Sequence, residues 1–145
     1  MNHSVSSYAD AMWQADRASR GLGMQLDEVA PGRARLSMTI TEAMANGHGI
    51  CHGGFIFTLA DSAMAFASNQ RSEQAVAQHA AITFVRPGRA GERLVADAVE
   101  RMRAGRSGIY DVRVSTADGD LVAEFRGHTR TLRQRAETED GNAGT

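Results

Sequence analysis

The sequence predicts an α+β fold in which an antiparallel sheet of about six strands packs against one long helix. The helix is predicted over residues 55–69, which contain neither Gly nor Pro. Between Glu42 and Arg71 the only formally charged side chain is Asp61, so this helix lacks an ordinary solvated face. Six segments with strand-like patterns accompany it, two before and four after. An antiparallel sheet against one face is the simplest way to bury such a helix.

The elements before the long helix are predicted from spacing and turn residues. Residues 8–22 carry apolar side chains at helical spacing and end between two glycines, which predicts one amphipathic helix with Trp13 in the core. Residues 24–29 and 33–40 alternate in strand fashion around a Pro-Gly pair, which predicts a hairpin. The pair Thr41-Glu42 suits a short helical turn before the next loop.

The segments after the long helix are all strand-like. Strands are predicted over residues 75–85, 94–102, 109–115 and 121–132, separated by turns rich in Gly, Asp and Arg. The long helix also has a polar arc made only of short side chains, so a second element is expected to pack closely there.

Composition limits the class of protein. Residues 1–133 are predicted to form a single domain, and the polar, acidic residues 134–145 are predicted to be a disordered tail. The formal net charge of −1 gives no reason to expect binding to nucleic acid or to a membrane. A single cysteine excludes an intrachain disulfide, and no apolar run is present near the amino terminus. These features favour a cytoplasmic protein.

The candidate site begins in the Gly-rich loop of residues 46–54, which runs directly into the long helix. The first amides of a helix have no internal acceptor, so the N–H groups near Gly53 and Gly54 can hold an anion or a developing oxyanion. Asp61 is expected in a largely buried seam, where a carboxylate is usually paired or functional.

The spacing of these groups has a consequence for assembly. Gly53 and Asp61 are eight residues apart, or about 12 Å along a helix, which is too far for both to act on one carbonyl group. If they cooperate, they must come from two copies of the helix that lie antiparallel across a two-fold axis. A homodimer with two interfacial sites is therefore expected.

These residues also resemble a known family. The resemblance covers roughly residues 8–132 and rests on five motifs, Asn46-Gly47-His48, Cys51-His52-Gly53-Gly54, Leu59-Ala60-Asp61, Phe84-Val85-Arg86-Pro87-Gly88 and Phe125-Arg126-Gly127. They are similar to those of the hotdog-fold acyl-CoA thioesterases, and most closely to the phenylacetate-degradation thioesterases of the PaaI type.

The resemblance implies a fold, an assembly and a set of roles. The fold is a strongly curved antiparallel sheet wrapped around the long helix, with edge-to-edge dimers that pair into tetramers. Asp61 would be the general base that activates water, or the nucleophile that forms a mixed anhydride. The Gly53 N–H would stabilise the oxyanion, Asn46 would orient water or the carbonyl group, and His52 would shape the loop by hydrogen bonding.

The resemblance also implies that an acyl-CoA thioester is the substrate, with no other cofactor. Coenzyme A would lie along two strand turns and near one histidine, at Gly54, Phe84, Arg86, Pro87, Gly88, Arg89, Arg103, Gly105, Arg106, Ser107 and His128. The arginines in this set suit either coenzyme A phosphates or solvated turns. One departure concerns Ala77, where some relatives have Ser or Thr to assist the carboxylate; the neighbouring Gln78 and His79 are candidate substitutes.

Other chemistries are less favoured by the sequence. His48 and His52 have the spacing of helix-borne metal ligands, but glycines surround them and no third ligand follows, so no metal site is expected. Cys51 is interpreted as a packed thiol rather than a nucleophile, because adjacent residues seldom face each other. His79 and His128 are interpreted as strand residues rather than ligands.

The predicted function is hydrolysis of small aromatic acyl-CoA thioesters, of the phenylacetyl-CoA or hydroxyphenylacetyl-CoA type, in phenylacetate catabolism. A hotdog hydratase or dehydratase is one alternative, in which His52 would act beside Asp61. A non-catalytic acyl-CoA sensor is another, against which the retained Asp61 and the open Gly loop argue. The sequence leaves open the acyl group, the direct or indirect role of Asp61, and the choice between dimer and tetramer.

Overall fold

A computed structural model describes residues 7–132 of the protein. Six strands form one antiparallel sheet in the order β1-β2-β4-β5-β6-β3. The strands are β1 (Gln25–Ala30), β2 (Arg33–Thr39), β3 (Ala75–Phe84), β4 (Arg93–Ala104), β5 (Ser107–Thr116) and β6 (Leu121–Thr131). The α-helices are α1 (Ser7–Ala15), α2 (Arg17–Gly21) and α3 (Gly53–Ser68), and a 3-10 turn covers Glu42–Met44.

The predicted architecture is confirmed, with α3 packed against one face of the sheet. Alternate residues of the central strands point toward α3, because side chains of a strand alternate between its two faces. The inward set includes Leu94, Ala96, Ala98, Val112 and Val114, all of which are buried. We call the face that carries them the inner face of the sheet, and the opposite one the outer face.

The first helix differs from its prediction, because residues 8–22 form two helices rather than one. The break lies at Asp16 (φ −83°, ψ 86°), which caps α2. Its carboxylate accepts the backbone N–H of Ser19 at 2.9 Å and the Ser19 hydroxyl at 2.7 Å. A short acidic side chain that bonds nearby backbone groups competes with helix continuation, which is why the chain breaks there.

The two short helices pack on α3, and α2 covers one residue of its polar arc, Ser62. The Ser19 and Ser62 hydroxyl oxygens lie 2.8 Å apart in a buried contact that joins α2 to α3. The ring centroids of Trp13 and Phe66 are 5.7 Å apart in an edge-to-face contact, so Trp13 packs against the core as expected.

The carboxyl end of α3 is fixed to the beginning of β3 by one side chain. Asn69 is 6% exposed, donates from Nδ2 to the Ala75 carbonyl at 3.0 Å, and accepts the Ala75 N–H at 2.9 Å. Since the other end of α3 lies beside Phe84, the last residue of β3, the helix and this strand run antiparallel along each other.

Within residues 7–132, no helix is long and apolar enough to cross a membrane. The predicted disordered tail, residues 134–145, lies outside the described residues.

The cap at Asp16 is directly testable. We expect Asp16→Ala to lower the free energy of unfolding by about 1 kcal/mol, the usual effect of losing a helix N-cap, as measured by urea unfolding. Glu73→Ala is the matched control, because Glu73 is an exposed loop carboxylate. Equal unfolding free energies for the two variants would contradict the capping role.

Candidate active site

The loop before α3 is organised by Asn46. Its side-chain Oδ1 accepts the backbone N–H groups of His48 at 2.9 Å and Ile50 at 3.1 Å. Its backbone N–H donates to the Ile50 carbonyl at 2.8 Å, and its carbonyl accepts the Gly49 N–H at 3.0 Å. Because both of these N–H groups donate, the side-chain atom that faces them is the Asn46 oxygen and not its nitrogen. No residue within 7–132 accepts from Nδ2, which leaves this donor available to a ligand.

The same loop is anchored on both sides by backbone hydrogen bonds. Cys51 donates to the Gly88 carbonyl at 2.8 Å, and His52 donates to the Met44 carbonyl at 2.9 Å. The His52 carbonyl accepts the N–H of Phe55 at 3.1 Å. The His52 backbone thus takes part in the hydrogen bonds of the loop, whereas its exposed side chain has no hydrogen-bond partner in the described part of the chain.

The amino end of α3 leaves two backbone donors unused. His52 occupies the N-cap position without a side-chain capping bond, and Gly53 is the first helical residue. Among the described residues, none accepts the N–H of Gly53 or Gly54. Unpaired amides at a helix terminus carry partial positive charge, so this end of α3 can bind an anionic oxygen.

Gly53 also lies directly against an aromatic ring. A Cβ atom placed on Gly53 would lie 2.5 Å from Cζ of Phe84, closer than any side chain allows. At Gly54 the same test finds no atom within 4 Å. Only Gly at position 53 therefore lets the ring reach the helix terminus.

A cavity of about 350 Å³ opens at this terminus. It brings together Gly53 and the predicted coenzyme A residues Phe84, Arg86, Pro87 and Gly88. Four further residues complete its lining, namely Ile50, Cys51, Ile56 and Val85. Val85 lies within the predicted coenzyme A turn of residues 84–89, but sequence reasoning did not assign Ile50, Cys51 and Ile56 to the site. An apolar residue that lines a cavity has the same sequence pattern as one that fills a core.

The arginines at the cavity differ in their availability. Arg86 forms two hydrogen bonds with the Glu92 carboxylate, at 3.3 and 2.8 Å, and donates to the Pro87 carbonyl at 2.6 Å. The Arg86 guanidinium, and then the Arg89 backbone N–H, hold the pKa of Glu92 below its ordinary value. Arg86 thus stabilises its own turn. The exposed Arg89 side chain has no ion-pair partner among residues 7–132 and is the one free to meet a phosphate.

The second predicted coenzyme A turn lies elsewhere in the same chain. Phe84 at the cavity pairs with Ala123 of β6, and Ala123 pairs with Val114 of β5, so Val114 lies at the cavity end of the sheet. Ser107, in the second turn, is the first residue of β5 and lies at the opposite end. Seven residues separate the two positions on β5, or about 23 Å at 3.3 Å per residue. The second predicted set therefore does not lie at the cavity of its own chain. This set comprises Arg103, Gly105, Arg106, Ser107 and His128.

Asp61 lies two turns along α3 from the cavity. Its side chain is half-buried, and burial raises the pKa of its carboxyl group. No residue in the described range donates a hydrogen bond to it or forms an ion pair with it. The eight residues from Gly53 keep their predicted helical separation of about 12 Å, because α3 is continuous between them.

The strand position where some relatives have Ser or Thr is also resolved. Ala77 pairs with Thr129, whose side chain is buried on the inner face. His79 pairs with His128 instead, on the outer face, so His79 does not take the place of the missing hydroxyl. Gln78 is the extra residue of a bulge between these pairs and is the remaining candidate.

The chain is similar in sequence to known thioesterases over most of its length. The thioesterase superfamily profile matches residues 48–123. The chain is 39% identical to acyl-coenzyme A thioesterase PaaI of Escherichia coli K12, over 91% of this chain and 94% of that protein. It is 32% identical to human acyl-coenzyme A thioesterase 13, over 91% of this chain and 96% of that protein.

The solved structures show the same fold. The structure of the Escherichia coli PaaI protein from the phenylacetic acid degradation operon matches with a TM-score of 0.83 and 40% identity, over 86% of this chain and 90% of that chain. A protein from Thermus thermophilus matches with a TM-score of 0.77 and 40% identity, over 81% of this chain and 98% of that chain. The fold predicted from the motifs is thereby confirmed.

The raised pKa of Asp61 predicts a pH-dependent gain in stability for Asp61→Asn. The folded chain keeps the Asp61 proton to a higher pH than the unfolded chain, so wild-type stability falls as pH rises from the ordinary value near 3.9 through the raised one. Asn does not ionise. The variant should therefore match the wild type below about pH 3.9 and exceed its melting temperature above the raised pKa.

Asp111→Asn is the matched control with the opposite sign. Hydrogen bonding from Arg126 lowers the pKa of Asp111, so removing that carboxylate should lower the melting temperature near neutral pH. Asp61→Asn and wild-type curves that stay parallel from pH 3 to pH 8 would show that Asp61 is not desolvated.

Proposed function

The chain belongs to the thioesterase superfamily and, within it, to the acyl-CoA thioesterases of the PaaI type, and from this premise we propose that it hydrolyses small aromatic acyl-CoA thioesters. The expected substrates are of the phenylacetyl-CoA or hydroxyphenylacetyl-CoA type, and the products are the free acid and coenzyme A. The observation that carries the proposal is the pair of unpartnered N–H groups at Gly53 and Gly54 beside a cavity of about 350 Å³.

These amides supply the electrostatic part of the reaction. When water adds to a thioester carbonyl, negative charge develops on the carbonyl oxygen, and a preorganised N–H at Gly53 stabilises it most in the transition state. Removal of one such donor typically costs about 10²- to 10³-fold in rate. The aligned dipole of α3, which has 16 residues, adds to this stabilisation at the same place.

Asp61 supplies the proton acceptor. Its oxygen removes a proton from water as the water oxygen bonds to the carbonyl carbon. The C–S bond then breaks, and the sulfur leaves as a thiolate that needs no strong general acid. Burial raises the pKa of the Asp61 carboxyl, which makes its carboxylate a better base near neutral pH than an exposed one. Direct attack by Asp61, through a mixed anhydride, is the other form of the same proposal.

The cavity supports a compact and aromatic acyl group. Its volume of about 350 Å³ lies near the lower end of the range for small-molecule sites. The Phe84 ring forms one wall, and aliphatic side chains of Ile50, Ile56 and Val85 form much of the rest. An aryl group gains both apolar burial and an aromatic contact in such surroundings.

A homodimer is proposed to complete the site, through the free edge of the sheet. Among the described strands, β3 pairs only with β6. Val76 and Phe84 on β3 are 39% and 49% exposed, and Val85, directly after it, is 53% exposed. An unpaired edge of ten residues with apolar side chains is suited to pairing with a second copy. Pairing of such dimers into tetramers stays a prediction.

Two-fold pairing along β3 would also bring the separated groups together. Because α3 runs antiparallel to β3, the start of α3 in one chain would face the middle and end of α3 in its partner, where Asp61 lies. The same symmetry reverses the partner's sheet. Its second coenzyme A turn, which includes Arg103 and Arg106, would then lie at the end where the first chain has its cavity.

The central test is release of free thiol from a panel of aromatic and aliphatic acyl-CoA thioesters. We expect turnover to be fastest with aryl-acetyl substrates, and Asp61→Asn to lower kcat/KM by about 10²- to 10⁴-fold, as expected for loss of a general base. Asp118→Asn, which alters an exposed turn carboxylate, should leave kcat/KM unchanged. Binding of coenzyme A without thiol release from any thioester would favour the sensor, and hydration of an enoyl thioester would favour the hydratase.

Subunit complementation tests the shared site. Gly53→Pro removes the proposed N–H at the first helical position, where Pro breaks no helical hydrogen bond, and His52 (φ −59°, ψ 136°) already has the extended conformation found before Pro. Phe84→Ala in the same chain makes room for the ring of the new Pro. Co-refolding this inactive double variant with Asp61→Asn should restore about a quarter of wild-type thiol release, because half the dimers then hold one intact site.

The control for complementation is a mixture of Asp61→Asn and Asp61→Ala, which has no intact pair of groups and should stay inactive. If the first mixture shows only the summed activity of its two components, each site lies within one chain and the shared-site proposal is wrong.

A further inference from the structure

Two histidines from neighbouring strands face each other on the outer face of the sheet. His79 of β3 and His128 of β6 are direct cross-strand partners, and their ring centroids lie 5.2 Å apart at an interplanar angle of 59°. The residues on either side of His128 along β6, Gly127 and Thr129, are buried on the inner face, which places His128 on the outer one.

A bulge in β3 creates this pair. Ala77 pairs with Thr129, and the next pair is His79 with His128. Between these two pairs β3 has one extra residue, Gln78, which has no partner on β6. Without the extra residue, strict alternation would place Gln78 opposite His128 and turn His79 to the inner face. The bulge therefore re-aims an imidazole toward a second imidazole, away from the cavity.

The separation of the two rings fits a shared metal ion. A ring nitrogen binds Zn²⁺ at about 2.0–2.1 Å, and the ring centroid lies about 1.1 Å farther away, so each centroid is about 3.2 Å from the metal. At the tetrahedral angle, two such rings have centroids about 5.2 Å apart. We propose that His79 and His128 form a binding site for a divalent transition metal ion such as Zn²⁺, with water in the remaining positions.

The surrounding charges limit the affinity and the choice of metal. Arg126, on the same face of β6, is paired with Asp111, which also accepts from Arg101. Arg130 flanks His128 on the other side and has no ion-pair partner among residues 7–132, so it opposes a cation. Nitrogen ligands without a carboxylate therefore favour Zn²⁺, Co²⁺, Ni²⁺ or Cu²⁺ over Mg²⁺ and Ca²⁺.

The site is open rather than closed. Within the described residues no group of three or more His, Cys, Asp or Glu side chains converges as a metal site, so the protein supplies two ligands and leaves coordination positions for solvent. Metal binding is measured separately from thioester hydrolysis, because both imidazoles lie on the outer face and five residues separate His79 from Phe84 at the cavity of the same chain. Only His128 of the pair also belongs to the set that the resemblance assigns to coenzyme A.

The test is metal binding by the whole chain, with Zn²⁺ measured by chelator competition and Co²⁺ by its visible absorption. His79→Ala and His128→Ala should each weaken binding of both ions at least about tenfold, because loss of even an indirect metal contact typically costs 10- to 100-fold. His3→Ala and His48→Ala are the matched controls, since each removes an imidazole outside the pair, and both should keep wild-type affinity. Mg²⁺ should not compete.

Wild-type protein gives an independent reading that needs no variant. In its NMR spectrum, Zn²⁺ should shift the imidazole resonances of His79 and His128 before those of the other histidines. Equal shifts at all histidines, or unchanged Zn²⁺ affinity in either His→Ala variant of the pair, would overturn the proposal. Thiol release from acyl-CoA is measured in the same wild-type samples. It tests the proposed hydrolysis separately, so failure of the metal site and failure of the activity can be told apart.

Discussion

The burial of α3 is the constraint on which the rest of the structure depends. This helix carries no Lys, Arg or Glu, and most of its residues are buried, including Leu59, Ala63 and Phe66, which are fully inaccessible. Full burial of a Leu or Phe side chain contributes about 1.5–3 kcal/mol, so a helix of this composition is stable only when covered. The sheet covers one side, and the Ser19–Ser62 contact brings α2 onto another.

The same constraint explains why the two ends of α3 differ. Asn69 satisfies backbone groups at the carboxyl end and joins it to β3, so that end is closed. At the amino end, Gly53 and Gly54 leave their N–H groups unpaired beside the cavity. The first N–H groups of a helix have no acceptor within it, and at a partly exposed terminus a ligand can supply that acceptor. The proposed chemistry uses these free N–H groups.

One chain holds only part of the proposed machinery. The cavity and Gly53 lie at one end of the sheet, the second arginine turn lies at the other, and Asp61 lies two helical turns from the amides. Each separation follows from continuous regular structure, which does not bend to close a gap of about 12 Å or more. The exposed edge of β3 offers the surface through which a second copy would close these gaps at once.

By itself, the sequence determined the six strands, the buried helix and the Gly-rich terminus, because apolar periodicity and turn residues are local signals. It also determined the spacing of Gly53 and Asp61, which one helix fixes. Tertiary structure alone decided that Ser19 of α2 meets Ser62 of α3, that the Phe84 ring lies against Gly53, and that a bulge turns His79 toward His128. These outcomes depend on which distant residues meet, and a pattern along one chain does not contain that information.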